Sequence, residues 1–326
     1  MKTNAIQIHE YGGPEVLRWT EIDVPEPAAG EVRVRHSAVG LNYIDVYHRT
    51  GLYPMGDLPA TLGLEGAGVV EALGPGVERL KPGDRVAYAT PPLGAYCEAR
   101  NMDAARLVKV PDTVGDTQAA AMMLQGMTAE YLLNRTFPVE RGDTILFHAA
   151  AGGVGLMACQ WAKHLGATVI GTVGSTEKAA LAQAHGCDHT ILYRQENILE
   201  RVRALTDGQG VDVVYDSVGK DTFDTSLDCL KPLGMLVSFG QSSGAIPPVD
   251  LSILSQKGSL FVTRPTLMTY IASNEDLYAS AGALFEVVGT GMVKVEVNQT
   301  FALKDAALAH RALESRTTTG STVLLP

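Results

Sequence analysis

Ala149-Ala150-Ala151-Gly152-Gly153-Val154-Gly155 is the stretch on which the fold turns. Set against Gly-x-Gly-x-x-Gly it matches as Ala150-x-Gly152-x-x-Gly155, with alanine in the first position. Alone, such a run fits a plain glycine-rich turn as well as a binding loop. Its neighbours decide between them. The apolar run Thr144-Ile145-Leu146-Phe147 leads into it, and Val154, Met157, Ala158, Trp161, Ala162 and Leu165 follow at the spacing of one buried helix face. A strand, a glycine turn and a helix in that order aim backbone N–H groups at a pyrophosphate, with glycine where a Cβ would block its approach. The stretch predicts a dinucleotide site with Gly152, Gly153 and Val154 at the phosphates.

Further strand patterns recur downstream at Thr168–Thr172, Thr190–Tyr193, Val211–Tyr215, Met235–Phe239 and Leu260–Thr263, with helical segments between them. With the first, six strands suggest a complete doubly wound parallel sheet of the Rossmann type, an α/β fold. Upstream the texture differs. Short β-type runs at Glu31–Arg35, Gly68–Leu73, Asp84–Tyr88 and Ala105–Val110 are separated by Gly74-Pro75-Gly76 and Lys81-Pro82-Gly83-Asp84, which is turn chemistry. This portion is expected to be irregular and mostly β. A helical stretch from Gln118 to Leu133 marks the change of texture, and another helix pattern spans Leu277 to Val288. The final run Ser321–Leu325 has no evident partner in the Rossmann unit and is expected to rejoin the N-terminal portion.

The end of the second strand of this unit distinguishes between dinucleotides. A site for NAD usually carries Asp or Glu about 20 residues after the loop, where it bonds the ribose hydroxyl. Here the strand ends Gly171-Thr172-Val173-Gly174-Ser175, without a carboxylate to repel a 2′-phosphate. Ser175 and Lys178 follow, and Tyr193 and Arg194 come after the next strand, so NADPH is favoured. Lys178 is the candidate for charge pairing; the plainer reading is a solvated helix lysine.

Composition narrows the function classes. The 326 residues exceed one small domain, and 46% apolar with 19% charged residues describes a globular chain. A net charge of -10 works against nucleic-acid phosphates, so no nucleic-acid partner is expected. No run approaches the roughly 20 apolar residues of a membrane span, and Met1 to Ile6 alternates like a strand rather than a signal peptide. Cys97, Cys159, Cys187 and Cys229 have no paired spacing, which fits buried thiols in a reducing, cytoplasmic setting. The eight histidines, His9, His36, His48, His148, His164, His185, His189 and His310, show no zinc-ligand spacing.

Over essentially its full length the sequence resembles the medium-chain dehydrogenase/reductase superfamily, and within it the zinc-independent NADPH:quinone oxidoreductase branch. The likeness rests on Gly12-Gly13-Pro14-Glu15-Val16-Leu17, Asn42-Tyr43-Ile44-Asp45, Gly63-Leu64-Glu65-Gly66-Ala67-Gly68, Pro82-Gly83-Asp84-Arg85-Val86 and Ala149 to Gly155. The resemblance implies a GroES-like, mostly β catalytic domain of residues 1–125 plus 266–326, with a Rossmann domain of residues 126–265 inserted in it, and a homodimer. It implies a nicotinamide in the cleft between domains, approached by Asn42, Asp45, Tyr131, Ser217, Phe239, Gly240, Gln241, Ser242, Thr263, Arg264 and Arg316. Zinc members carry a soft or imidazole ligand in the Asn42 motif and a histidine where Leu64 stands. Both are missing, so no metal is expected.

Without zinc to polarise an oxygen, the natural acceptors are already electrophilic: quinones, or alternatively activated enones. A different class, a protein that keeps the cofactor for binding alone or has RNA affinity, is opposed by the acidic charge. Asn42, Tyr47 and Tyr53 are the candidate catalytic residues, the tyrosines placed to stack on a flat ring or to give a proton to the reduced oxygen. The alternative for both tyrosines is packing. Replacing Lys178 by Glu is expected to abolish the preference for NADPH over NADH, read as the ratio of kcat/KM values; an unchanged ratio removes Lys178 from the phosphate site.

Overall fold

A computed structural model describes all 326 residues. In chain order the first portion carries strands β1 (Lys2–Ile8), β2 (Arg18–Asp23) and β3 (Glu31–Leu41), helix α1 (Tyr43–Arg49), and strands β4 (Ala60–Thr61), β5 (Glu65–Leu73), β6 (Arg85–Ala89), β7 (Ala99–Asp103) and β8 (Val108–Lys109). Strands β1, β2 and β4 form a small antiparallel sheet, while β3, the longest strand, pairs with both β5 and β7. Its register against β5 shifts twice, between Arg33 and Val34 and between His36 and Ala38. Gly68 makes the second shift possible, since a Cβ there would run into the Arg35 carbonyl.

Helix α2 (Asp116–Tyr131) leads into a single π-type turn, Leu132–Thr136. Strands and helices then alternate as β9 (Thr144–Phe147), α3 (Gly153–Leu165), β10 (Thr168–Val173), α4 (Thr176–Ala184), β11 (His189–Leu192), α5 (Ile198–Leu205), β12 (Val211–Asp216), α6 (Phe223–Asp228), β13 (Leu230–Ser238), α7 (Ser252–Gln256), β14 (Phe261–Thr263) and α8 (Leu267–Tyr270). The six strands pair in parallel in the order β11-β10-β9-β12-β13-β14. This is the doubly wound sheet expected from the alternation. The order reverses between β9 and β12, so the loops at their C-terminal ends diverge and leave a crevice where such sheets take ligands. Leu146, Ile170, Ile191, Val214 and Leu236 are buried in one core together with Val202 of α5 and Leu227 of α6. Helix α3 stops at Gly166, whose φ of 97° is the left-handed conformation that glycine adopts without strain.

The tail carries α9 (Asn274–Gly289), β15 (Val297–Ala302), α10 (Ala306–Glu314) and β16 (Ser321–Leu325). Strand β16 lies antiparallel to β3, with Thr322 opposite Leu41, and parallel to β15. By internal contacts the chain divides into one unit of Met1–Met127, Ile271–Phe285 and Val295–Pro326 and another of Thr128–Tyr270 and Glu286–Lys294. Ile6, Val34, Leu62, Tyr88 and Tyr96 share the core of the first unit with Leu324 and Ala309 from the tail.

One expected strand is not there in full. In Ala105–Val110 only Val108 and Lys109 pair as a strand, because the Asp103 carboxylate accepts the Ala105 N–H at 2.8 Å and turns Ala104–Arg106 into a 3-10 helix. A local side-chain bond has outcompeted the ladder.

Candidate active site

In the second unit the dinucleotide loop begins at His148 and ends in the first turn of α3. Ala149 has a φ of 55°, left-handed backbone in a residue with a Cβ. Gly152 caps α3 with extended backbone and no side-chain bond, which leaves the first N–H groups of the helix, at Gly153 and Val154, for an anion. A Cβ at Gly155 would stand 2.5 Å from the Ala149 carbonyl oxygen, so the loop folds this tightly only around glycine.

A buried polar chain fixes the loop from behind. Ser226 donates to Asp216 Oδ2 at 2.8 Å, so its oxygen accepts from His148 Nε2 at 3.0 Å. His148 Nδ1 then accepts from the Thr172 hydroxyl at 3.0 Å, and that oxygen takes the Ala149 N–H at 3.4 Å. Burial holds His148 below the usual histidine range, so it remains the neutral acceptor this chain requires. Asp216 Oδ1 also binds the N–H groups of Val218 and Gly219 at 2.7 and 3.0 Å, fixing the loop after β12.

Apart from Tyr131 on α2, the remaining cofactor positions expected in this unit fall at the C-terminal ends of its strands. After β10, a Cβ on Gly174 would meet the Tyr193 hydroxyl at 2.8 Å, and Ser175 caps α4 by accepting the Lys178 N–H at 3.3 Å. The Arg194 guanidinium lies 6.0 Å over the Tyr193 ring. The Ser175 cap and the Tyr193–Arg194 pair therefore gather at this end of β10, with the Glu177 carboxylate beside them on α4, where it accepts from the Thr176 hydroxyl at 3.2 Å. After β12 and β13, Ser217 accepts the Ser242 N–H at 3.1 Å, and a Cβ on Gly240 would stand 2.6 Å from the Ser217 carbonyl oxygen. The Phe239 ring is 5.8 Å from Phe147, and Gln241 belongs to the same turn, its carbonyl accepting the Gly244 N–H. Thr263 ends β14, and Arg264 donates to the Ser238 carbonyl at 2.8 Å. Tyr131 is buried and stacks on Tyr270 at 4.4 Å, with Arg135 over the Tyr270 ring.

In the first unit Asn42 caps α1, and its amide is held on both sides. Its Nδ2 donates to Glu65 Oε2 at 2.6 Å, and its Oδ1 accepts from Gln125 Nε2 at 3.1 Å. Gln125 in turn accepts from Ser321 of β16 at 2.7 Å. The Asn42 N–H goes to Asp45 Oδ2 at 2.9 Å. Burial raises Asp45 to about 7 and Glu65 to about 8, against the pull of these hydrogen bonds. Tyr47 and Tyr53 do meet, edge to face at 5.1 Å, with Tyr43 5.4 Å beyond Tyr47. Burial raises the Tyr43 phenol, while the positive charge of Arg316, itself left-handed at φ 59°, pulls it back.

Residues 28–140 match the alcohol dehydrogenase GroES-like domain, and residues 153–294 match the zinc-binding dehydrogenase family. The quinone oxidoreductase of Pseudomonas aeruginosa is 58% identical over 98% of this chain and 99% of its own. The chain belongs to the quinone oxidoreductase branch of the medium-chain dehydrogenase/reductase superfamily. Within that superfamily it is also 47% identical to a Burkholderia 2-haloacrylate reductase, over 99% of this chain and 98% of that one. The crystal structure of Escherichia coli quinone oxidoreductase complexed with NADPH aligns with a TM-score of 0.97 at 50% identity, covering 99% of this chain and 100% of that one.

The zinc in that family description does not fit the donors present. Its matched region excludes the Asn42 and Leu64 motifs, and no group of three His, Cys, Asp or Glu side chains is arranged to hold a metal. Asn42, Asp45 and Glu65 bond one another, Tyr96, Gln125 and the Leu124 N–H, which leaves only Asp45 Oδ1 without a partner. An NADPH pyrophosphate does fit, against the open N–H groups of α3. Tyr96, Gln125, His148 and His310 have structural roles at these sites that the sequence pattern does not reveal, because their partners lie far off in the chain. Gly155→Ala is expected to weaken NADPH binding at least about tenfold, roughly 1.4 kcal/mol, in a fluorescence titration, since the Ala149 carbonyl must move.

Proposed function

We propose that this chain is an NADPH-dependent quinone oxidoreductase that works without a metal. The observation that carries the reading is the full-length likeness to the E. coli quinone oxidoreductase, whose crystal structure is a complex with NADPH. Gly152, Gly153 and Val154 hold the pyrophosphate. Gly174, Ser175, Lys178 and Tyr193 take the 2′-phosphate and adenosine side. To the nicotinamide end we assign Tyr131, Ser217, Phe239, Gly240, Gln241, Ser242, Thr263 and Arg264 of the second unit, and Asn42, Asp45 and Arg316 of the first. When bound, NADPH supplies the hydride. The protein orients and excludes water: Asn42, locked on both sides, is a fixed point, and Tyr47 with Tyr53 forms an aromatic wall for a flat acceptor ring.

Likeness to the 2-haloacrylate reductase favours a second reading, in which the acceptor is an activated alkene. NADPH oxidation is expected with 1,4-benzoquinone or 9,10-phenanthrenequinone, and more slowly with an α,β-unsaturated ketone, with a chelator present throughout. Faster turnover of the enone than of either quinone supports the second reading, and loss of activity on chelation defeats the metal-free one.

No helix is long and apolar enough to cross a membrane, and with the acidic charge this supports a cytoplasmic enzyme of small-molecule substrates. A homodimer completes the reading. Strand β14 ends its sheet with Phe261 56% and Val262 40% exposed, an unpaired apolar edge that a second copy would cover across a twofold axis. Val262→Lys is expected to shift the chain from dimer to monomer in sedimentation; a monomeric parent chain defeats the dimer.

A further inference from the structure

Asp216 is the last residue of β12, which runs beside β9 where the order of the parallel sheet reverses. It is buried, and its two carboxylate oxygens serve different loops. Oδ1 takes the Val218 and Gly219 N–H groups of the loop after β12. Oδ2 takes the hydroxyls of Thr222, at 2.7 Å, and Ser226. All of these groups belong to the second unit.

From Oδ1 the bonds run toward the turn after β13. The Val218 carbonyl accepts both the N–H and the hydroxyl of Ser243, at 2.9 and 2.8 Å, and the Ser217 carbonyl accepts the Ser242 N–H. The turn from Phe239 to Gly244 thus rests on the loop that Asp216 holds. From Oδ2 the bonds run toward α3. Ser226 spends its hydrogen on Asp216, so His148 carries its own on Nε2 and donates to Ser226. The bare Nδ1 accepts the Thr172 hydroxyl, whose oxygen takes the Ala149 N–H. The Ala149 carbonyl in turn accepts the Gly152 N–H at 2.9 Å, which closes the turn that starts α3. From Ala149 to Ser226 every hydrogen of this chain points toward Asp216. A carboxylate only accepts, so the direction is set there.

We infer that Asp216 is a positioning residue for both halves of the dinucleotide: through Oδ2 it sets the polarity of the Ser226–His148–Thr172 chain and with it the pyrophosphate turn, and through Oδ1 it sets the turn assigned to the nicotinamide end. The inference rests on that placement of NADPH. Asp216 acts through these bonds, not on the cofactor itself. An amide in its place separates the two tasks, because only its oxygen can accept. In Asp216→Asn that oxygen keeps the Val218 and Gly219 N–H groups, and the NH2 group faces Ser226 and Thr222. Thr222 can turn its hydrogen to the Gly219 carbonyl, which it already faces at 3.3 Å. Ser226 must accept from the amide and donate to His148 Nε2, so the imidazole hydrogen moves to Nδ1. Thr172 then loses the acceptor of its own hydrogen, and its hold on the Ala149 N–H weakens. Removal of both oxygens, in Asp216→Ala, releases both turns.

Two measurements on the whole chain test this. The first is 15N NMR of histidine-labelled protein without ligand, with the His148 signals assigned by their loss in His148→Gln. His148 is expected to carry its hydrogen on Nε2 in the parent chain and on Nδ1 in Asp216→Asn. The second is the Kd of two probes, 2′-phospho-ADP-ribose, which has the pyrophosphate and no nicotinamide, and reduced nicotinamide mononucleotide. Thr172→Val and Asp216→Asn are expected to weaken the first probe about tenfold and to leave the second within about threefold, and Thr172→Ser to restore the first. Asp216→Ala weakens both probes. Ser243→Ala, which cuts the hydroxyl bond to Val218, weakens the mononucleotide alone and keeps the Oδ1 half testable where Asp216→Ala does not fold. The inference is overturned by a His148 hydrogen on Nδ1 in the parent chain or still on Nε2 in Asp216→Asn. It is equally overturned if Thr172→Val leaves both probes unchanged or weakens both alike, or if neither Asp216→Ala nor Ser243→Ala affects the mononucleotide. A tautomer that switches as described in a chain that binds neither probe overturns the cofactor placement instead.

Discussion

The Asn42 amide must find a partner on each side, and the elements around it supply one each: β5 through Glu65, and α2 through Gln125, itself bonded to Ser321 of β16. A buried amide that loses a partner costs about 1–3 kcal/mol. The first helix, the fifth strand, the long second helix and the last strand are therefore held to one geometry by a single side chain. Gly40 belongs to the same constraint, since a Cβ there would collide with the Glu65 carboxylate. Close approach of β3 to Glu65 is what lets that carboxylate reach Asn42.

Both units use one device, a buried histidine between a group that can only donate and one that can only accept. In the second unit Asp216 is the terminal acceptor and His148 passes its polarity on to Thr172 and the Ala149 N–H. In the first, Arg49 is the terminal donor and His310 passes its polarity to Tyr96 and Asp45. Each ring is neutral with a fixed tautomer, insulated from pH by burial. The histidines organise charge without carrying it.

What the sequence makes legible follows from how local each signal is. Gly152 to Gly155, the periodic face of α3 and the carboxylate-free end of β10 lie within about 25 residues, and each has a short-range physical reason. The six parallel strands are legible for the same cause, as near-continuous apolar runs between amphipathic helices. Ala105–Val110 misleads because its alternation is β-like while one upstream carboxylate, Asp103, captures the turn. Arg49, Tyr96 and His310 are silent because nothing in the neighbourhood of any one of them points to the other two. A histidine on an alanine-rich helix such as α10 looks like any satisfied core residue until its partners are in view.

The Val39–Leu41 end of strand β3 waits for β16, which is made far later than β3. The parallel sheet of the second unit, by contrast, draws all six strands from one continuous stretch. During synthesis β9 to β14 are all made before β16, so the parallel sheet can form while the Val39–Leu41 end of β3 still lacks its partner. That short end of β3 is the segment a chaperone would shield until β16 is made.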